Sequence, residues 1–120
     1  MSYASRYCVE VPVNPTSAAV HWQETVPALG FGRNFVGAEV INGVTGASAT
    51  TGVWTFYYTP SGGSEVTIGT ITWGSTQAVW TGVALNPSQT YRLGIGDKLK
   101  VTCTTAATTA TTAQLKLFFS

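Results

Sequence analysis

Charge is what this chain has least of. Asp, Glu, Lys and Arg make up 9% of its 120 residues, against about a quarter in an average soluble domain. Six Lys and Arg oppose five Asp and Glu, so the formal net charge is +1. Such a surface has no basic footprint for a nucleic-acid backbone and no acidic tail, and no nucleic-acid partner is expected. Apolar runs of membrane-span length are missing too, so no membrane partner is expected. Disorder is excluded from the other side. Disordered chains are charge-rich and aromatic-poor, whereas Phe, Trp and Tyr supply 12% here.

Catalytic side chains are equally scarce. There is one histidine, His21, and one aspartate, Asp97, and the glutamates Glu10, Glu24, Glu39 and Glu65 are scattered singly. A Ser-His-Asp arrangement has to use His21 and Asp97, far apart in the chain and without a G-x-S-x-G turn. The plainer reading of His21, within Ala19-Val20-His21-Trp22-Gln23, is a strand histidine with an ordinary hydrogen bond. No carboxylate pair, zinc ligand set or acidic calcium loop is spelled out, so no metal or cofactor is expected and the chain reads as non-enzymatic.

Two cysteines, Cys8 and Cys103, stand near the ends in none of the metal or redox spacings. The first residues carry no apolar signal segment, which predicts a chain made in a reducing cytoplasm with two buried thiols rather than a bridge.

Strand formers fill the rest. Twenty threonines join valines and aromatics, which suit a pleated, half-buried surface. Alternation is clear in Tyr7–Val13, where Pro12 predicts an edge position. It recurs in Ala18–Trp22 and Phe35–Val44. The strongest hairpin signal is Gly52–Thr59 and Glu65–Trp73 around Pro60-Ser61-Gly62-Gly63. Further runs are Gln77–Leu85, Thr90–Leu93, Asp97–Thr104 and Gln114–Phe119. The last two place Leu99, Val101, Cys103, Leu115, Leu117 and Phe119 inward. About eight strands with regular turn signals predict an all-β chain. The expected fold is a single-domain antiparallel β-sandwich, jelly-roll-like, over residues 7–120, preceded by an N-terminal arm over residues 1–6.

Contact residues are sought where the alternation fails. Gln23–Asn34 has none and contains Pro27, Gly30 and Gly32, and long connections in sandwiches often carry binding. The aromatic and arginine residues there and in the arm, Tyr3, Arg6, Trp22, Phe31, Arg33 and Phe35, are the expected partner contacts. The arm and the irregular segment are expected at the same end of the fold. Trp54, Trp73 and Trp80 read as core, whereas exposed rings at one loop end would mark a carbohydrate-binding module or lectin.

The run from Trp54 to Gly63, the later Gly96-Asp97-Lys98-Leu99-Lys100-Val101 and the closing alternating strand resemble small structural proteins of tailed bacteriophages. The likeness is to capsid decoration (cement) proteins and related head or tail accessory proteins. It implies a jelly-roll or sandwich fold and binding to the major capsid protein on the outside of a phage head. It also implies self-association, with a trimer favoured, and residence in the virion after assembly in the host cytoplasm. A tail or fibre component, or a lectin-like receptor-binding domain, is the alternative.

Overall fold

The computed structural model describes residues 7–28, 32–42, 51–73, 81–107 and 112–120. These residues form nine strands and no helix: β1 (Tyr7–Val13), β2 (Val20–Thr25), β3 (Arg33–Asn42), β4 (Gly52–Thr59), β5 (Val66–Trp73), β6 (Gly82–Leu85), β7 (Tyr91–Leu93), β8 (Lys98–Thr105) and β9 (Ala113–Phe119). All pairings are antiparallel. One sheet runs β1-β9-β3-β6, with β7 also on β3, and the other runs β2-β8-β4-β5. β6 and β7 take successive parts of the same neighbour: Leu85 lies opposite Ala38 and Tyr91 opposite Phe35. Counted as one interrupted strand, they complete an eight-strand jelly roll whose chain passes repeatedly between the two sheets.

The core lies between the sheets and follows the period-2 pattern of the sequence. Phe35, Val40, Trp54, Phe56, Trp73, Leu99, Val101, Leu115, Leu117 and Phe119 are all fully buried. Trp54 and Trp73 meet edge-to-face at 4.9 Å, and the Trp73 indole N–H donates to the Val40 carbonyl of the opposite sheet at 3.0 Å. That bond satisfies the one polar atom a tryptophan brings into a core. Pro12 sits on β1, which among the described strands pairs only with β9, so the proline occupies an edge where a missing N–H costs least.

Three sequence expectations are corrected. Phe35, expected as a partner contact, is fully buried, between the rings of Phe56 and Phe119. β2 begins at Val20 rather than Ala18 and runs to Thr25, taking in part of the segment read as irregular. Cys8 is exposed and only Cys103 is buried, both as free thiols. Cys8 alternates with inward-facing Tyr7 and Val9 and so points off the outside of its sheet. Tyr3, Arg6, Phe31, Trp80 and the start of the run at Gln77 lie outside the described residues.

Candidate functional site

Bulges decide which polar side chains turn inward. In β2, Val20 lies opposite Thr102 and Trp22 opposite Val101, so His21 is the extra residue and the bulge re-aims it. Its Nδ1 accepts the indole N–H of buried Trp54 at 3.1 Å, and its Nε2 lies 2.8 Å from the Ser17 carbonyl, to which it donates. Both ring nitrogens are thereby committed to structure. Asp97 is committed elsewhere. The Val26 N–H donates to its backbone carbonyl, which places Asp97 at the far end of β2 from His21. Five extended residues separate the two ends, about 16 Å. The pair suggested by the catalytic inventory does not meet.

Beyond the bulge, Trp22 and Glu24 face inward opposite Val101 and Leu99. Arg33, at the start of β3, likewise lies opposite buried Leu93. Two inward charges on opposite sheets therefore point at one another. The Arg33 guanidinium donates to the Glu24 carboxylate, lies 4.1 Å over the Phe119 ring and donates from Nη1 to the Tyr7 hydroxyl at 3.1 Å. Burial works against its charge, but the bonds to Tyr7 and Glu24 outweigh it and hold the guanidinium pKa above its ordinary value. Side-chain exposure is 17% for Arg33 and 39% for Glu24, so the pair closes one end of the sandwich with its carboxylate toward solvent.

Tyr7 completes this end. Its ring stacks on Phe119 at 5.3 Å and 24°, and the residue is 43% exposed. The Arg33 guanidinium carbon also lies over the Tyr7 ring, 6.0 Å from its centroid. Half-buried Trp22 packs against the core on the same face of β2 as Glu24. Nearby, Arg92 lies across Gly32, where a Cβ would come within 2.6 Å of its Nη2. Arg92 makes no hydrogen bond or ion pair with any described residue.

The same end is braced by two turns. Pro60–Gly63 and Gly94–Asp97 are each closed by a backbone bond, Gly63 N–H to Pro60 O at 2.8 Å and Asp97 N–H to Gly94 O at 3.0 Å. Gly62 and Gly96 have φ of 73° and 84°, as the third residue of a type II turn requires. The Asp97 carboxylate then joins the turns, accepting the Ser61 N–H at 2.7 Å and the Gly94 N–H at 2.8 Å. Those bonds hold its pKa below the ordinary carboxylate value. The two motifs noted separately in the sequence are thus in contact.

Of the expected contact residues, Arg33 belongs to this end, Trp22 packs on the core two residues before Glu24 on the same face of β2, Phe35 lies in the core beneath the end, and Tyr3, Arg6 and Phe31 lie outside the described residues. Tyr7, Glu24, Phe119 and Arg92 were missed. The available signal was a charge at an inward position of a strand, which asks for a partner. Among the described residues there is no enclosed pocket and no cluster of three potential metal ligands, so a ligand at this end meets an open surface.

The fold is similar to that of the family 32 carbohydrate-binding module of C. perfringens NanJ, solved in complex with galactose. The TM-score is 0.50 at 10% identity, over 92% of this chain and 93% of that one. At that identity the likeness concerns the β-sandwich alone. No protein-family profile and no curated protein sequence matches the chain.

Proposed function

We propose that this chain is a non-catalytic, lectin-like module that binds carbohydrate at the end formed by Tyr7, Glu24 and Arg33. The observation that carries the reading is the part-exposed Tyr7 side chain, stacked on Phe119, beside a carboxylate and a guanidinium that hold one another. A pyranose presents apolar C–H groups on one face and hydroxyls around its rim. The first suit an aromatic face, and the second suit planar, pre-oriented donors and acceptors. Arg33 occupies one Glu24 oxygen and leaves the other able to accept from a sugar hydroxyl. The Tyr7 hydroxyl accepts from Arg33 and keeps its own proton to donate. The likeness to a galactose-bound module adds support at the level of the fold. A jelly roll serves viral capsid and lectin domains alike, so it gives the phage accessory resemblance no separate support.

The test is a glycan array followed by calorimetry on the sugars that bind, with galactose included. Tyr7→Ala is expected to weaken binding about tenfold or more, and Glu24→Gln to weaken it while keeping the fold, checked by near-ultraviolet dichroism. Absence of any glycan signal from the parent protein, or full binding by Tyr7→Ala, overturns the proposal.

A further inference from the structure

Residues 14–19 carry the chain from β1 to β2, at the end of the sandwich away from Tyr7 and Arg33. Two backbone bonds tie this strap to the body: the Ala107 N–H donates to the Pro15 carbonyl and the Cys103 N–H to the Ala19 carbonyl, both at 2.9 Å. Asn14 shapes the strap from within, accepting from Thr16 at its side chain and from the Ser17 N–H at its carbonyl. Between the two anchors, the tie to the body among the described residues is the His21 imidazole. Its Nε2 donates to the Ser17 carbonyl, and its Nδ1 accepts the indole N–H of fully buried Trp54. The strap is fastened to the core through one ring that must donate at one nitrogen and accept at the other.

One form of histidine meets that requirement, the neutral ring with its proton on Nε2. A second proton, at Nδ1, removes the acceptor and sets an N–H against the indole N–H, which can only donate. Nothing around the ring compensates the new charge. β4 and residues 14–19 contain no Asp, Glu, Lys or Arg, and Tyr57 and Tyr58 of β4 stand level with Lys100 and Leu99, toward the other end. On β8, Lys98 and Lys100 lie opposite Thr25 and Gln23, and burial raises the pKa of the Cys103 thiol, which stays protonated. Glu24 of β2 is held by Arg33, and Glu10 of β1 by Lys116. Neither carboxylate bonds the ring. Residues 43–50, 74–80 and 108–111 contain no ionisable residue.

We infer that His21 is an acid-sensitive latch: protonation of its imidazole undoes the Trp54–His21–Ser17 chain of bonds and lets residues 14–19 lift from the end of the sandwich. The closed form holds at neutral pH and gives way as pH falls from about 7 to about 5, the range in which histidine ordinarily gains its charge. Asp97, whose pKa lies below 3.8, stays ionised across that range. The latch does not depend on the carbohydrate reading.

The experiment uses the full chain labelled with nitrogen-15, in which His21 is the single histidine. At neutral pH the imidazole nitrogen shifts are expected to show a proton on Nε2 and a bare Nδ1, and the opposite tautomer overturns the latch. Native-state hydrogen exchange, with each rate divided by the intrinsic rate at that pH, then compares the Cys103 and Ala107 amides with those of β9. Protection at Cys103 and Ala107 is expected to fall about tenfold from pH 7 to pH 5 while β9 is unchanged, since one linked proton shifts an equilibrium by up to about tenfold per pH unit. His21→Gln offers an amide oxygen to Trp54 and an NH2 to Ser17 without titrating, and is expected to abolish the fall. Constant protection in the parent overturns the proposal, as does an equal fall in β9 or the same fall in His21→Gln. The tautomer and the parent's exchange are read without the variant, so they decide the matter whether or not it folds.

Discussion

A guanidinium that points into a sandwich needs a counter-charge from the facing sheet, and Glu24 supplies it to Arg33. Removing one member of such a pair costs more than removing both, because the survivor is left without its partner. Glu24→Ala is expected to lower stability by about 1–2 kcal/mol in urea titrations. The double variant Glu24→Leu/Arg33→Leu is expected to lose less than the sum of the two single changes, and strict additivity would show that the ion pair is uncoupled. His21 has a similar duty toward Trp54, whose indole can only donate and is fully buried. His21→Ala is expected to cost about 1–3 kcal/mol by orphaning that donor. His21→Gln, which can offer an amide oxygen, is expected to recover part of it in the same titrations.

Among the elements, the Asp97 clamp between the Pro60–Gly63 and Gly94–Asp97 turns is the feature that responds to acid. The Ser61 and Gly94 N–H groups favour the ionised carboxylate, so its folded pKa lies below the ordinary value of 3.8. The stabilisation is therefore complete above the unfolded pKa and is lost as pH falls through the folded one. Stability measured from pH 6 down to pH 2 is expected to fall more steeply for the parent than for Asp97→Asn, and parallel curves would remove the clamp from the account. Gly96→Ala is expected to destabilise at every pH, because φ is positive there and a Cβ would come 2.5 Å from the Ser61 Oγ.

Strands with one apolar face were readable from the sequence: β8 and β9 follow the alternation of Leu99, Val101, Cys103 and Leu115, Leu117, Phe119. The ends of β2 and β3 were not, because their inward positions hold Glu24 and Arg33, and a pattern search counts a charge as outward. The bulge residues His21, Val36 and Ile68 shift the period by one and hide it further. The candidate end was legible in part for the same reason. Arg33 stood out by residue type, whereas Tyr7 and Glu24 gain their meaning only from cross-sheet contact.

At the scale of the whole molecule, each sheet has a protected middle and exposed edges. β9 and β3 lie inside one sheet, β8 and β4 inside the other, and β1 and β2 are edges. Native-state hydrogen exchange is expected to be slowest in β4, β8 and β9 and fastest in β1. Equal protection of β1 would mean that its free edge is covered by another chain. That measurement also bears on self-association, since light scattering of the same sample reports whether copies meet.

The pairing of Tyr7 with Phe119 joins the first described strand to the last. β9 also fills the gap between β1 and β3, so β1 has no described partner, and β3 only β6 and β7, until Ala113–Phe119 has been synthesised. Contacts this distant in sequence incur the loop-closure cost before they are rewarded, which places refolding in the millisecond-to-second range. On a ribosome adding about 5–20 residues per second, β1 waits several seconds with its apolar face uncovered. The chain's vulnerable moment is therefore its birth, and a nascent chain stalled before β9 is the form that a holdase chaperone would meet.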